Sequence, residues 1–374
     1  MKLPLPLPLT RVLLSGFLSV TMAALMASPA AGLDLEAGQL VRSGGAVIDV
    51  PGYSVPAMAD MTGDGLEDLI VGQGDGSNLG KVRIYTNVGA AGAPAFDGYF
   101  FAQSAGNDLA LTGSGCLGVA PRGFDWDADG LTDLIVGTAD GRVLFYENTG
   151  TPGAPAFAAA SPVRAGPAGG QTDINVASRA LPALRDWDGD GDTDLIVGAY
   201  DAYIRVYLNN GMTPSGPQLL GELRATSGGG DLIVPGQRAA PDFVDLDGDG
   251  VADLLAGNTN GQLLLYVNIG TATDPAFAGY TYVTSEGVAI DLPGSARSRP
   301  FVTDWNADGI PDLLVGADDG QVHLYQGVPE PMTGMFLLVG AALLRRRKRN
   351  RKEPSITPRF RWGAIVRTQG EILP

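Results

Sequence analysis

The chain has 374 residues, 45% hydrophobic and 18% charged, with 54 glycines and 26 prolines. That mixture excludes a disordered chain and suits an all-β protein rich in tight turns. The formal net charge is −16, but from Leu33 to Gly327 it is −25, from 13 Lys and Arg against 38 Asp and Glu, so the body of the protein repels nucleic acid and attracts divalent cations.

Residues 1–31 read as a secretory signal. Lys2 and Arg11 supply positive charge, Val12 to Met26 form an apolar segment, and the small residues of ASPAAG place cleavage after Ala30 or Ala31. The alternative is an uncleaved membrane anchor. Downstream, the segment Gly38 to Gly52 aligns with Gly221 to Gly236. It is expected to supply the missing outer strand of the last repeat, which would remove an exposed sheet edge.

An aspartate-rich nonapeptide then recurs five times, starting at Asp60, Asp125, Asp186, Asp245 and Asp304, and each copy leads into a short apolar run. The starts lie 65, 61, 59 and 59 residues apart, a period that points to a propeller or solenoid. One unit, read from Pro241, contains PDFV, the Asp loop, the strand DLLAG, an Asn260-Gly261 hairpin turn, the strand QLLLYVN and the strand FAGYTYVTS. This is four up-and-down strands, one propeller blade. The DLIVG-type runs do not alternate in polarity, as expected of strands buried on both faces. Tyr-x-Asn-x-Gly recurs at Tyr85, Tyr146, Tyr207 and Tyr266, and Pro-Ala-Phe ends at Phe96, Phe157 and Phe277; the aromatics read as packing. The first unit has an insertion, GDGSNLGK, at its hairpin, and the third lacks Pro-Ala-Phe. The fold predicted is all-β, a propeller of five blades with four antiparallel strands each, spanning 32–327.

Each loop offers side-chain oxygens at its positions 1, 3, 5 and 9, with glycine at 6 for the sharp turn and the carbonyl at 7 as a further donor. The candidate ligands are Asp60, Thr62, Asp64 and Asp68; Asp125, Asp127, Asp129 and Asp133; Asp186, Asp188, Asp190 and Asp194; Asp245, Asp247, Asp249 and Asp253; and Asp304, Asn306, Asp308 and Asp312. Hard carboxylate and carbonyl oxygens select Ca2+ over zinc or copper, at up to five sites, and magnesium is disfavoured by its tight octahedron. Four carboxylates gathered without a cation would repel one another strongly. The loop with Thr62 is expected to be the weakest site. Cys116 is the only cysteine, so no intrachain disulfide forms. His323 is the only histidine, which excludes multi-histidine zinc sites. Both read as ordinary strand or turn residues.

Together these units resemble the FG-GAP/VCBS repeat family over residues 38–327. The resemblance implies a β-propeller with a calcium loop in each blade. Family members often have seven blades; here no 60-residue gap is left for a sixth.

The end of the chain carries Val328-Pro-Glu-Pro331, the apolar Met332 to Leu344, and a basic cluster from Arg345 to Lys352. This order resembles the PEP-CTERM sorting signal over residues 328–352. The resemblance implies processing by an exosortase-type enzyme, with transient inner-membrane contact through the apolar segment, and export to the cell surface or extracellular matrix of a Gram-negative bacterium. Thirteen helical residues at about 1.5 Å each span only about 20 Å of a roughly 30 Å hydrocarbon core, which fits a tail read by an enzyme better than a settled anchor. Residues 353–374 extend beyond where such signals stop, and their role is unassigned.

Two functions follow. The first is a non-enzymatic, calcium-stabilised surface protein that binds an extracellular polysaccharide or another surface protein, in adhesion or matrix association. The alternative is a secreted propeller enzyme, a polysaccharide lyase or hydrolase. The fold does not decide between them. The repeated acids are poor candidates for a catalytic pair, because the metal sites use them. No catalytic residue is assigned.

Overall fold

The short apolar runs after each Asp loop become the middle of the structure. Asp68–Gly74, Asp133–Thr138, Asp194–Gly198, Asp253–Gly257 and Asp312–Gly316 are strands buried along their whole length. Burial on both faces explains their lack of alternation. The computed structural model describes residues 34–328, apart from 75–78, 113–117, 214–215, 246–248 and 293–296. The signal segment, Cys116 and everything after Val328, including the sorting-signal region and the tail, lie outside the described residues.

Each of these strands is the second of four antiparallel strands, and in blades 1 and 4 further strands join the same sheet. Blade 1 adds Ser54–Ala59 inside, then Leu79–Tyr85 and Phe100–Phe101 outside, with Ala110–Thr112 also along the third strand. Blade 2 is built from Val119–Phe124, Asp133–Thr138, Val143–Tyr146 and Ser161–Pro162. Blade 3 has Leu181–Arg185, Asp194–Gly198, Ile204–Tyr207 and Leu223–Arg224. Blade 4 has Ala240–Val244, Asp253–Gly257, Leu263–Asn268 and Phe277–Tyr282. Blade 5 takes Arg299–Thr303, Asp312–Gly316 and Val322–Tyr325 from the end of the repeats and Gln39–Leu40 from their beginning. Gln39 pairs with Leu324 and Leu40 with His323, so the N-terminal segment completes the last blade as expected.

The inner strands pack in cyclic order, blade 1 on 2, 2 on 3, 3 on 4, 4 on 5 and 5 back on 1. A single contact repeats at every seam. The glycine ending each DLIVG-type run receives the proline of the next inner strand: Gly72 with Pro121, Gly137 with Pro182, Gly198 with Pro241, Gly257 with Pro300, and Gly316 with Pro56. A Cβ at any of these glycines would lie 2.1–2.3 Å from a backbone carbonyl oxygen of the neighbouring blade. Glycine is needed here for close approach of two backbones, and the fifth contact closes the ring.

A second belt runs outside the blades. Hairpins at 42–47, 103–108, 164–173, 226–231 and 284–289 each bridge in parallel to the next blade, at Phe96, Phe157, Leu219, Phe277 and Asp34–Leu35 respectively. In four of them a serine hydroxyl bonds a backbone carbonyl across the seam: Ser43 to Gly98, Ser104 to Ala158, Ser227 to Ala278 and Ser285 to Glu36. Along the axis, Arg122 of blade 2 and Asp242 of blade 4 form a buried ion pair at 3.9 Å. It joins two blades that are not neighbours.

The seam contact makes a prediction. Gly198→Ala should overpack the seam between blades 3 and 4 and lower the unfolding free energy by about 1–3 kcal/mol, read as a shift in the denaturant midpoint. An unchanged midpoint would mean that the two backbones can move apart freely, contrary to the packing described.

Candidate metal centres

The nonapeptides form loops between the first and second strands of their blades, and their shape follows from backbone conformation. Position 6 is left-handed in all five, with φ of 83–96° at Gly65, Gly130, Gly191, Gly250 and Gly309. Position 4 is left-handed too, at Gly63 (68°), Ala128 (62°), Gly189 (71°) and Ala307 (55°). Two such residues curl the loop so that alternate side chains face inward. Alanine in that conformation costs energy, so the curl is held by something stronger than local preference.

The aspartates hold it. The position-1 carboxylate takes the N–H of position 6 in every loop, at 2.8 Å for Asp60 and 3.0 Å for Asp125, Asp186, Asp245 and Asp304. The position-5 carboxylates of Asp64, Asp129, Asp190, Asp249 and Asp308 take the N–H of position 7 at 2.8–2.9 Å. The position-9 aspartates are almost fully buried, none more than 1% exposed. One oxygen of each accepts from the third strand's end, from the N–H of Asn87, Asn148, Asn209, Asn268 or Gly327. The other oxygen of Asp68, Asp133, Asp194 and Asp312 accepts from position 2 of its own loop, at Met61, Trp126, Trp187 and Trp305.

These groups differ from plain surface aspartates. Burial pushes the carboxyls of Asp133 and Asp194 up to about 6, against the pull of their backbone N–H partners and with help from neighbouring loop acids. Asp68 and Asp312 are raised for the same first reason. At position 3, Asp127 and Asp188 are raised by desolvation and by the adjacent carboxylates.

The donor sets fit a hard divalent cation. Oxygens of Asp125, Asp127 and Asp133 lie within 4.8 Å of one another, and so do those of Asp186, Asp188 and Asp190. A calcium ion with ligands at about 2.3–2.6 Å spans such a gap. Two position-3 oxygens, Thr62 Oγ1 in the first loop and Asp188 Oδ1 in the third, are buried with no hydrogen-bond partner. A buried oxygen left so is costly unless something positive faces it. In the fifth loop Asn306 accepts from the N–H of Asp308 and its amide nitrogen donates to the Asp308 carboxylate at 3.0 Å. In the fourth, Asp245, Asp249 and Asp253 are in place, while Asp247 lies outside the described residues.

The first, second, third and fifth loops each touch the next blade. The carbonyl of Thr62 accepts from Gly153 N of blade 2 at 2.6 Å, and that of Asp60 from Thr132 Oγ1 at 2.6 Å. The loop tryptophans stack on the next blade's Pro-Ala-Phe ring, Trp187 on Phe277 at 5.9 Å and Trp305 on Phe96 at 5.9 Å. Blade 3 lacks that motif; its strands Asn209–Thr213 and Gly216–Leu219 form a hairpin instead, and Gly216 packs against Trp126. The repeated aromatics are therefore packing residues, as expected.

Sequence reasoning missed the asparagine of Tyr-x-Asn-x-Gly. Asn87, Asn148 and Asn268 each accept two backbone N–H groups with the side-chain oxygen and donate to the position-8 carbonyl. They brace the loop from behind. Their constant place two residues after the tyrosine was the visible signal. His323 pairs with Asp319 at 2.9 Å and takes no part in these sites.

The FG-GAP-like repeat model matches residues 186–256 and 245–315, two overlapping copies covering the third to fifth loops. Among solved structures, a chain of the Photorhabdus luminescens Tc holotoxin pore aligns with 79% of this chain at 16% identity and a TM-score of 0.37; the match spans 15% of the toxin chain. BBS1N from its complex with ARL6DN aligns with 81% of this chain and 98% of its own length, at 14% identity and a TM-score of 0.38.

The hydrogen bonds separate two roles among the aspartates. Asp194→Ala should strip acceptors from two buried N–H groups, at about 1–3 kcal/mol each, whether or not divalent cation is present. Asp188→Ala removes no such acceptor and should leave the melting temperature in excess chelator within about a degree or two of the parent. Equal losses for both variants in chelator would erase this distinction.

Proposed function

We propose that this FG-GAP-repeat propeller is a calcium-stabilised, exported protein. It acts at the cell surface or in the extracellular matrix by binding a polysaccharide or another surface protein, without catalysing a reaction. The observation that carries the reading is the repeated loop: one register in five blades, carboxylate clusters in the second and third, and a position-3 oxygen buried without a partner in the first and third. When bound, calcium supplies positive charge to these oxygens. The protein's part is to hold the loop curled, through the position-1 and position-5 carboxylates, and to fix the position-9 carboxylate between loop and third strand. The loop acids are committed to this work, which is why we assign them no catalytic role.

Calcium should raise the melting temperature and chelation should lower it, with magnesium restoring little. A native-only site adds roughly 2.7 kcal/mol at about 100 Kd of free ligand. Asp190→Ala or Asp249→Ala should reduce the calcium increment more than Thr62→Ala, since each deletes a charged ligand. A melting curve indifferent to both calcium and chelator would reduce the loops to plain turns. A glycan array probed with the full chain, with and without calcium, tests the binding role. Turnover of an arrayed polysaccharide would favour the lyase or hydrolase alternative.

Export carries its own test. Intact mass of the protein from its native envelope should lack residues 1 to about 31 and, where an exosortase is present, the region after about Pro331. Retention of Arg345 to Lys352 would favour a simple anchor.

A further inference from the structure

The acidic body of this protein carries a basic concavity. Where the inner strands of successive blades begin, a small cavity of about 20 Å3, open to solvent, is lined by Arg179, Arg238, Arg297 and Arg299, with no acidic residue among its described lining. The arginines come from three successive seams. Arg179, Arg238 and Arg297 each stand three residues before an inner-strand proline, Pro182, Pro241 and Pro300. Their backbone N–H groups make the same seam bond, to the carbonyls of Ala139, Tyr200 and Thr259 at 3.1–3.2 Å. All three are left-handed, with φ of 51–58°. At the equivalent place in blade 2 stands Gly118, for which φ of 62° costs nothing. A long cationic side chain is thus carried three times on a backbone that favours glycine.

The guanidiniums are also held together. Arg179 and Arg238 share the Tyr200 ring, at 4.7 and 5.5 Å from its centre. Arg297 and Arg299 share the Tyr53 ring, at 4.5 and 4.9 Å. Arg179 also donates to the Ser178 hydroxyl and Arg299 to the Arg297 carbonyl. Asp318 attracts Arg297 from outside the lining, and burial pulls that guanidinium's pKa down. Tyrosine faces attract each cation and hold its plane beside the cavity. Deeper along the same inner strands, the Arg122–Asp242 pair lies across the axis.

We propose that this concavity is an oxyanion-binding site, taking a carboxylate or sulfate group presented by a ligand. Planar guanidinium forks match the geometry of such groups, and convergent forks read them with specificity. The site shares no residue with the Asp loops and does not depend on the cation proposed there.

Isothermal titration of the full chain, at constant ionic strength, distinguishes the sources of the oxyanion. The probes are sodium sulfate, sodium glucuronate and uncharged glucose. Saturable binding of sulfate, glucuronate or both, with none for glucose, is expected. Each of Arg179→Gln, Arg238→Gln and Arg297→Gln should weaken it about tenfold or more, the loss of one charged hydrogen bond. Arg164→Gln, on an outer hairpin and paired with Asp173, should leave it unchanged. Because a substituted seam could fail to fold, the parent protein decides first: absence of saturable binding of both anions overturns the proposal. So does equal binding of glucose, or affinity unaltered in a folded Arg179→Gln/Arg297→Gln double variant.

Discussion

The structure depends on a carboxylate that has no solvent. The ninth residue of every Asp loop, from Asp68 to Asp312, is buried, and a buried anion survives only if its lone pairs are taken. The fold supplies the third strand's N–H in all five blades and the loop's own second N–H in four of those described. One side chain thus fastens the loop to the sheet. For Asp133 and Asp194 these bonds do not offset the burial, since both carboxyls remain pushed up to about 6. A cation beside them would remove that deficit. The loop that shapes the blade and the loop that invites a metal are the same object, for electrostatic reasons.

Much of this was legible in the sequence because it repeats. A nonapeptide at constant register, an apolar run after it and a hairpin signal after that gave the blade, and the three-strand final unit with its matching N-terminal segment gave the closure through Gln39 and Leu40. What stayed hidden was contact between units. The glycine of DLIVG looks like a strand end; its purpose appears only when Pro121, Pro182, Pro241, Pro300 and Pro56 arrive from the next blade. The asparagines of Tyr-x-Asn-x-Gly and the serines of the outer hairpins repeat visibly, yet a linear pattern does not say that they bond across a loop or a seam. The left-handed backbone at Ala128 and Ala307 was not marked by glycine and so gave no signal in the sequence. The arginines before the inner prolines also repeat, but a count of charge over the whole chain hides three cations in a body of net −25.

The seam, more than the blade, is where this protein is stabilised. A single four-stranded sheet of this size leaves both faces apolar and cannot stand alone. The ring buries them, and every seam is sealed by glycine against proline and by hairpin bridges at the rim, with a loop tryptophan or loop hydrogen bond against the next blade at four of the five. With no intrachain disulfide available to a chain with one cysteine, these seals carry the closure.

That placement decides what a bound cation does. An ion held within one isolated turn would stiffen a few residues and little else. Here the first loop's own carbonyls accept hydrogen bonds from blade 2, and the third and fifth loops carry tryptophans stacked on the following blade. Ordering the loop therefore orders the partner's docking surface as well. Blade 5 is made from both ends of the repeat region, so it is complete, and its seam with blade 1 closes, only when the whole ring has assembled. Under the proposed function, binding energy delivered at any loop would in consequence be coupled to closure, and the loops would act on one cooperative transition instead of independent ones.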